Sequence, residues 1–230
     1  MLILVFNTTD EHGGAALYRG AECLARAVNA GSESYSITLF EAVERLLQES
    51  QLSLGDVDLF AVASGPGSFT GIRIGVAAAQ GWGTALGRPV CGVSLLAALV
   101  EEARPEAELA MALQDARRGE FFLHLFRRAT AAGYRPAGEA SLVKLDAAQQ
   151  LIQRQGERGN LTLVYREHDL APLKLRDLFP DARWQAVPGP LLDGIARLAL
   201  RAHAQGNLQT PDQLDALYIR RTDAEMNWRE

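Results

Sequence analysis

Residues 57–75 read VDLFAVASGPGSFTGIRIG, and this stretch decides the fold. Val57 to Ala63 is apolar and β-prone, Gly65, Pro66 and Gly67 form a turn, and Ser68 to Gly75 suits the start of a helix. Strand, glycine turn and helix start together gather backbone N–H groups and the positive end of a helix dipole at one point. Such a point often holds a phosphate. Two phosphate loops can be tested by spacing, and both fail. A Walker A loop needs a glycine where Thr70 stands and a lysine after it. A dinucleotide fingerprint fits Gly65 and Gly67 but meets Thr70 at its third glycine. What remains is a proline-stiffened glycine turn with two hydroxyls, Ser68 and Thr70, at a helix start. The spacing leaves two readings, an N-capped turn and an anion site.

Working outward, Leu2 to Phe6 reads as a buried strand. Gly13 to Tyr18 and Glu22 to Val28 read as two more, with Arg19–Gly20–Ala21 between them. Residues 36–50 change to a helical period, with Ile37, Phe40, Val43 and Leu47 on one face. Val57 to Ala63 is the fourth strand and 69–86 the second helix. Val90 to Val93 is a fifth strand, after which Ser94 caps a helix to about Ala103. This β-β-β-α-β-α-β order predicts a ribonuclease-H-like unit, a meander extended by parallel strands with crossover helices. The fold class expected from this order is therefore α/β and ribonuclease-H-like, with mixed sheets and flanking helices.

Residues 1–104 form the expected first lobe, with a boundary at Arg104–Pro105–Glu106. Residues 105–206 form a smaller, degraded second lobe, and the tail 207–230 is expected to pack back on the first. In the second lobe, strands are read at 109–114, 119–126 and 161–165. Helices are read from Asp146 to Arg154 and from Leu191 to Ala204, and 127–141 is read as loop and edge structure.

The 230 residues are 48% hydrophobic with a net charge of −5. That composition is globular and argues against autonomous nucleic-acid binding, which needs a basic stripe. Arg117–Arg118, Arg127–Arg128 and Arg220–Arg221 are isolated doublets among acidic residues. Cys23 and Cys91 are too few for a disulfide scaffold and read as buried thiols. The first ten residues lack a basic n-region, and no apolar run reaches the ~18 residues of a membrane span, so a cytoplasmic protein is expected.

No catalytic constellation emerges. His12, His124, His168 and His203 have no partner at metal spacing, and no Gly-x-Ser-x-Gly elbow occurs. The first strand ends on neutral Asn7, where a carboxylate would be needed to hold Mg²⁺ at a nucleotide phosphate; Asp10 lies past the strand. In the second helix, Gly71, Gly75, Ala79 and Gly83 recur every fourth residue. Each helical glycine costs about 1 kcal/mol relative to alanine, so the ridge implies close approach by the sheet, by helix 36–50 or by another chain.

The strings Leu2–Thr9, Ser64-Gly-Pro-Gly-Ser-Phe-Thr-Gly-Ile-Arg-Ile-Gly75, Gln114-Asp-Ala-Arg-Arg-Gly-Glu120 and Leu217-Tyr-Ile-Arg-Arg-Thr-Asp-Ala-Glu225 together resemble the bacterial TsaB (YeaZ) family. The resemblance implies a two-lobed, actin-like fold and a non-catalytic subunit needed to form threonylcarbamoyladenosine beside the anticodon of tRNAs that read codons starting with A. It implies TsaD and the ATPase TsaE as partners, a functional link to the TsaC-type enzyme, and contact with tRNA only through the complex. It also implies a homodimer through helices 36–50 and 69–86. The partner-interface residues expected there are Phe40, Val43, Leu47, Ile72, Gly75, Val76, Ala79 and Trp82. The anion or nucleotide contacts expected are Thr8, Thr9, Gly65, Gly67, Ser68 and Thr70. No metal and no cofactor of its own are expected, with ATP or ADP admitted at an interface shared with TsaD. An actin-like ATPase or kinase is the alternative, and a glycoprotease-like peptidase a weaker one. Two positions depart from the family pattern: Asn7-Thr8 stands where Asp-Thr is usual, and Tyr35-Ser36 where His-Ser or His-Thr is usual. The segment Gly65 to Gly75 is read mainly as an interface and lobe-hinge element, with any anion contact secondary.

Overall fold

The computed structural model describes residues 1–29, 35–130, 133–157, 160–169 and 171–219. The first lobe holds β1 (Leu2–Asn7), β2 (Gly14–Arg19), β3 (Glu22–Val28), α1 (Tyr35–Glu49), β4 (Leu59–Gly65), α2 (Phe69–Leu86), β5 (Val90–Ser94) and α3 (Leu95–Ala103). The second holds β6 (Leu109–Asp115), β7 (Glu120–Thr130), β8 (Gly133–Pro136), β9 (Ser141–Lys144), α4 (Leu145–Gly156), β10 (Leu161–Arg166), α5 (Ala171–Leu178), β11 (Arg183–Val187) and α6 (Leu192–Ala204).

The first sheet runs β3-β2-β1-β4-β5, with β1, β2 and β3 antiparallel and β4 and β5 added parallel to β1. The second runs β8-β7-β6-β10-β11 with the same senses, and β9 pairs with β7. The second lobe thus repeats the strand order of the first, with β9 added beside β7. The strand at 133–136 lies within the stretch read as loop and edge, and β9 begins at that stretch's last residue, Ser141. The elements α5 and β11 have no counterpart in the sequence reading.

Five layers result, because strands apolar on both faces need cover on both. On β1, Leu2, Leu4 and Phe6 face α1 and α2, while Ile3 and Val5 face α3 and α6. On β6, Ala110 and Ala112 turn to the α3 and α6 layer, and Leu109, Met111 and Leu113 turn to α4 and α5. The period of two places each residue. The α3–α6 pair is therefore a shared core between the sheets. Alanines 61, 63, 110 and 112 leave room for it. At its crossing, a side chain on Gly194 would run into the Ala98 carbonyl. Arg201 and Arg197 of α6 tie this pair to buried Glu101 of α3, at 3.0 and 3.5 Å.

Residues 207–219 run along the first lobe. Gln209 bridges Val90, the Gln80 side chain donates to the Leu214 carbonyl at 2.9 Å, and Leu217 N–H donates to the Ser64 carbonyl at 2.8 Å. The end of the string 217–225, from Arg220 on, lies outside the described residues.

Candidate functional site in the interlobe cleft

A cleft of about 1390 Å³ opens between the lobes. The first lobe supplies the chain after β1 (Thr8 to His12) and the turn into α2 (Pro66 to Ile72). The second supplies the β6–β7 turn (Gln114 to Gly119), His168 and Asp169 after β10, and Lys174 of α5.

The glycine turn is explained by close packing on the end of β1. Ser68 N–H donates to the Thr9 carbonyl at 2.6 Å, and a Cβ on Gly67 would sit 2.5 Å from that oxygen. A Cβ on Gly65 would meet the Leu217 carbonyl at 2.5 Å. Ser68 Oγ accepts from Gly71 N–H at 3.3 Å, which is an N-cap. The Thr8 hydroxyl donates to the Gly71 carbonyl at 2.7 Å. The Thr9 hydroxyl and N–H both donate to Asn7 Oδ1, and Asn7 Nδ2 donates to the Pro190 carbonyl at 2.9 Å. Asn7, Thr8 and Thr9 are wholly buried. Of the anion set expected from sequence, Thr8, Thr9, Gly67, Ser68 and Thr70 line this cleft. Thr8 and Thr9 use their hydroxyl protons internally, Gly65 is buried, and Ser68 and Thr70 are the two of the six that are exposed.

The expected interface set also divides. Val43, Leu47, Ile72, Gly75, Val76 and Ala79 are buried in the chain's own core. A Cβ on Gly75 would sit 2.5 Å from Thr8 Oγ1 and 3.0 Å from Val62 Cγ2, and one on Gly83 would sit 2.8 Å from Val90 Cγ1. The small-residue ridge is therefore corrected: it seats α2 on its own sheet. Phe40 is 48% exposed and Trp82 half-buried, their rings 5.5 Å apart, and Ile37, one turn before Phe40, is 62% exposed.

Sequence reasoning missed Arg166. It ends β10, is 1% exposed, and pairs with the Asp10 carboxylate of the first lobe. Its Nη2 also donates to the His12 and Gly189 carbonyls at 3.4 and 3.3 Å. The carboxylate past β1 thus meets a guanidinium. Beside it, the His12 and His168 rings stack across the lobes with centroids 3.8 Å apart. Burial, and then the Arg166 charge, pull His168 down to about 4, so its ring is neutral at pH 7. Burial pushes Asp169 up to about 6. Its carboxylate accepts from Asp115 N–H at 3.4 Å.

The β6–β7 turn is strained. Arg117 and Arg118 both have left-handed backbones, with φ of 62° and 54°, followed by Gly119 at 75°. Such a conformation costs a non-glycine residue roughly 1–2 kcal/mol. Arg117 N–H donates to Asp115 Oδ1 at 2.7 Å, and Glu120 N–H to the Arg117 carbonyl at 3.0 Å. Among the described residues no carboxylate pairs with either guanidinium, and both side chains are exposed. Gln114, on the same strand, is 7% exposed, and its Oε1 has no hydrogen-bond partner. Among the described residues no group of three His, Cys, Asp or Glu converges as a metal site.

The two-lobed, actin-like fold with mixed sheets and flanking helices is the one observed. The Clostridium difficile activator of 2-hydroxyisocaproyl-CoA dehydratase superposes with a TM-score of 0.55 at 10% identity, over 95% of this chain and all of that one. A Pseudomonas aeruginosa protein described as similar to the peptidase YeaZ superposes with a TM-score of 0.75 at 26% identity, over 95% of this chain and 99% of that one. The family model for TsaD, tRNA N6-adenosine threonylcarbamoyltransferase, matches residues 29–164. The Bacillus subtilis tRNA threonylcarbamoyladenosine biosynthesis protein TsaB is 33% identical over 127 residues. That match covers 55% of this chain and 56% of the relative, so the alignment spans a little over half the length of that protein. The chain belongs to this TsaD-type family and, within it, to the TsaB (YeaZ) group.

Proposed function

We propose that this chain is a non-catalytic partner subunit in the formation of threonylcarbamoyladenosine next to the anticodon of tRNAs reading codons that start with A. It acts by associating with TsaD, with TsaE and the TsaC-type enzyme in the same pathway, and it meets tRNA through the complex, in the cytoplasm. The observation that carries this reading is the end of β1. Asn7 is neutral, both ends of its carboxamide are bonded within the chain, and the nearby Asp10 is paired with buried Arg166. A phosphoryl-transfer site needs a free carboxylate there for Mg²⁺.

The docking surface is the exposed apolar edge of α1, Ile37 and Phe40, continued by Trp82 of α2. Aromatic and branched side chains in such a patch are typical anchors of a protein interface. The same face serves a homodimer when TsaD is absent. Any ATP or ADP of the pathway is held where TsaD and this chain meet. The peptidase description of the Pseudomonas neighbour finds neither a nucleophile elbow nor metal-ligand spacing in this sequence.

The test is co-purification with TsaD, followed by a tRNA modification assay with and without this chain. Modification that requires the chain, in a complex of the two, is the expected result. Full modification by TsaD and TsaE alone would overturn the reading.

A further inference from the structure

We propose that a second pocket, formed where both lobes meet the α3–α6 layer, holds a small uncharged aromatic molecule carrying one hydrogen-bonding group. This pocket shares no lining residue with the cleft, and the proposed function makes no use of it.

The pocket has a volume of about 240 Å³. From the first lobe β5 and α3 supply Cys91, Ser94 and Ala97, from the second β7 and β8 supply Phe126 and Tyr134, and α6 supplies Ala202. Size sets the first limit on what enters. A cavity of about 150 Å³ with apolar walls admits benzene, so this one admits a fused ring of about nine heavy atoms. Charge sets the second. The one charged side chain in the wall is Glu101, whose carboxylate accepts from Arg201 Nη2 at 3.0 and 3.1 Å and lies 3.5 Å from Arg197 Nε. Burial pushes the Cys91 thiol up to about 11, so it is uncharged at pH 7. An ion entering here would lose its hydration and find no free counter-charge. Polarity sets the third. Ser94 stands at the N-cap of α3 but makes no cap bond with its side chain, and its buried Oγ has no hydrogen-bond partner. The Tyr134 hydroxyl, by contrast, is shared between the Ala107 and Pro105 carbonyls. A buried hydroxyl left unpaired is costly. A water at Ser94 would need about two to four polar partners, and the other polar side chains of the wall are engaged within the chain. A ring with a single N–H, O–H or carbonyl satisfies Ser94 and packs its apolar remainder against Phe126 and Tyr134.

The experiment is a ligand-observed NMR titration of the purified full chain with three probes: indole, indene, which has the same rings without the N–H, and indole-3-carboxylate, which is charged. Indole is expected to bind with a submillimolar Kd, indene about 3- to 10-fold more weakly, the loss of one hydrogen bond, and the carboxylate not at all. Ser94→Ala should weaken indole by the same factor and leave indene unchanged. Ala97→Leu fills the pocket and should abolish binding of both, and Ala202→Leu, from the other helix, should do the same, so that one misfolded variant does not decide the result. Because both lobes form the wall, indole at about ten times its Kd should raise the melting temperature of the parent chain by about 3–5 °C. No indole binding at millimolar concentration would overturn the proposal. So would indole-3-carboxylate binding as well as indole, or indole binding unchanged in the folded leucine variants or in Ser94→Ala. None of these results depends on TsaD or on tRNA modification, so the test succeeds or fails separately from the proposed function.

Discussion

Arg166, at the end of β10 in one lobe, reaches across the interlobe boundary to the Asp10 carboxylate that follows β1 in the other. The arginine is 1% exposed and the aspartate 24%. The pair stands beside the chain segment that ends β1, and the stacked rings of His12 and His168 lie against it. It ties the lobes together and occupies the carboxylate that follows that strand end.

The two partners should not be equally sensitive. Asp10→Ala leaves a guanidinium buried with only two long bonds to carbonyl oxygens, and removing one partner of a buried pair costs about 3–5 kcal/mol. Arg166→Met leaves a carboxylate that water can reach, and should cost less. Urea denaturation of the two variants checks this. Equal midpoints, or a midpoint for Asp10→Ala equal to that of the parent chain, would show that the pair does not hold the lobes.

The α2 ridge makes an opposite forecast from the one its sequence suggests. Glycine at four-residue spacing invites a helix–helix contact between chains. In the structure a Cβ at Gly75 meets Thr8 Oγ1 at 2.5 Å and Val62 Cγ2 at 3.0 Å. Gly75→Val should therefore unfold the isolated chain by several kcal/mol, the cost of overpacking plus a displaced buried hydroxyl bond. Thermal unfolding of the isolated chain measures it. A variant that melts like the parent but no longer binds TsaD would restore the ridge to an interface.

What the sequence made legible follows from period and punctuation. Alternation in Leu2–Phe6, the helical period of 36–50 and the turn at Gly65–Gly67 place the first lobe's elements within a few residues of where they lie. The second lobe was harder for physical reasons. The helix α5 is eight residues with Pro172 in its first turn, and β11 is five residues with mixed exposure, so neither carries a period long enough to read. The ridge was visible but its direction was not, since spacing gives a face and not what covers it. Arg166 gave no signal, because a charge ending an apolar strand is ordinary until its partner, 156 residues away, is known. The strain at Arg117 and Arg118 is a property of φ, which sequence does not display.

The exposed edge of α1 offers a cleaner probe of association. Ile37 and Phe40 are 62% and 48% exposed, so Ile37→Ser with Phe40→Ser removes apolar surface without opening a cavity. Stability should change by less than about 1 kcal/mol. Association, with TsaD or between copies, should weaken by about tenfold or more if this patch holds an anchor. Sedimentation velocity across a concentration series reads both forms. Unchanged association at every concentration would move the interface elsewhere.

Asp169 sets the last forecast, and its sign is fixed by burial. The folded chain raises its carboxyl from an ordinary value of 3.8 to about 6. A raised folded value means that the stability it contributes is fully present below about 4 and is lost as pH rises through about 6. A shift of that size corresponds to about 2–3 kcal/mol. His168 acts in the other direction: its folded value is pulled down to about 4, so its contribution is present above its ordinary 6.5 and is lost as pH falls toward 4. The two partly cancel in the parent chain, which should show a shallow profile between pH 4 and 7. Asp169→Asn keeps an acceptor for the Asp115 N–H and removes the ionisable group. Its profile should then be steeper and rise toward neutral pH, with a gain over the parent that is absent near pH 4 and approaches about 2–3 kcal/mol at pH 7. Chemical denaturation at pH 4, 5, 6, 7 and 8 measures the difference. A gain that does not vary with pH would mean that Asp169 is not held protonated by its surroundings.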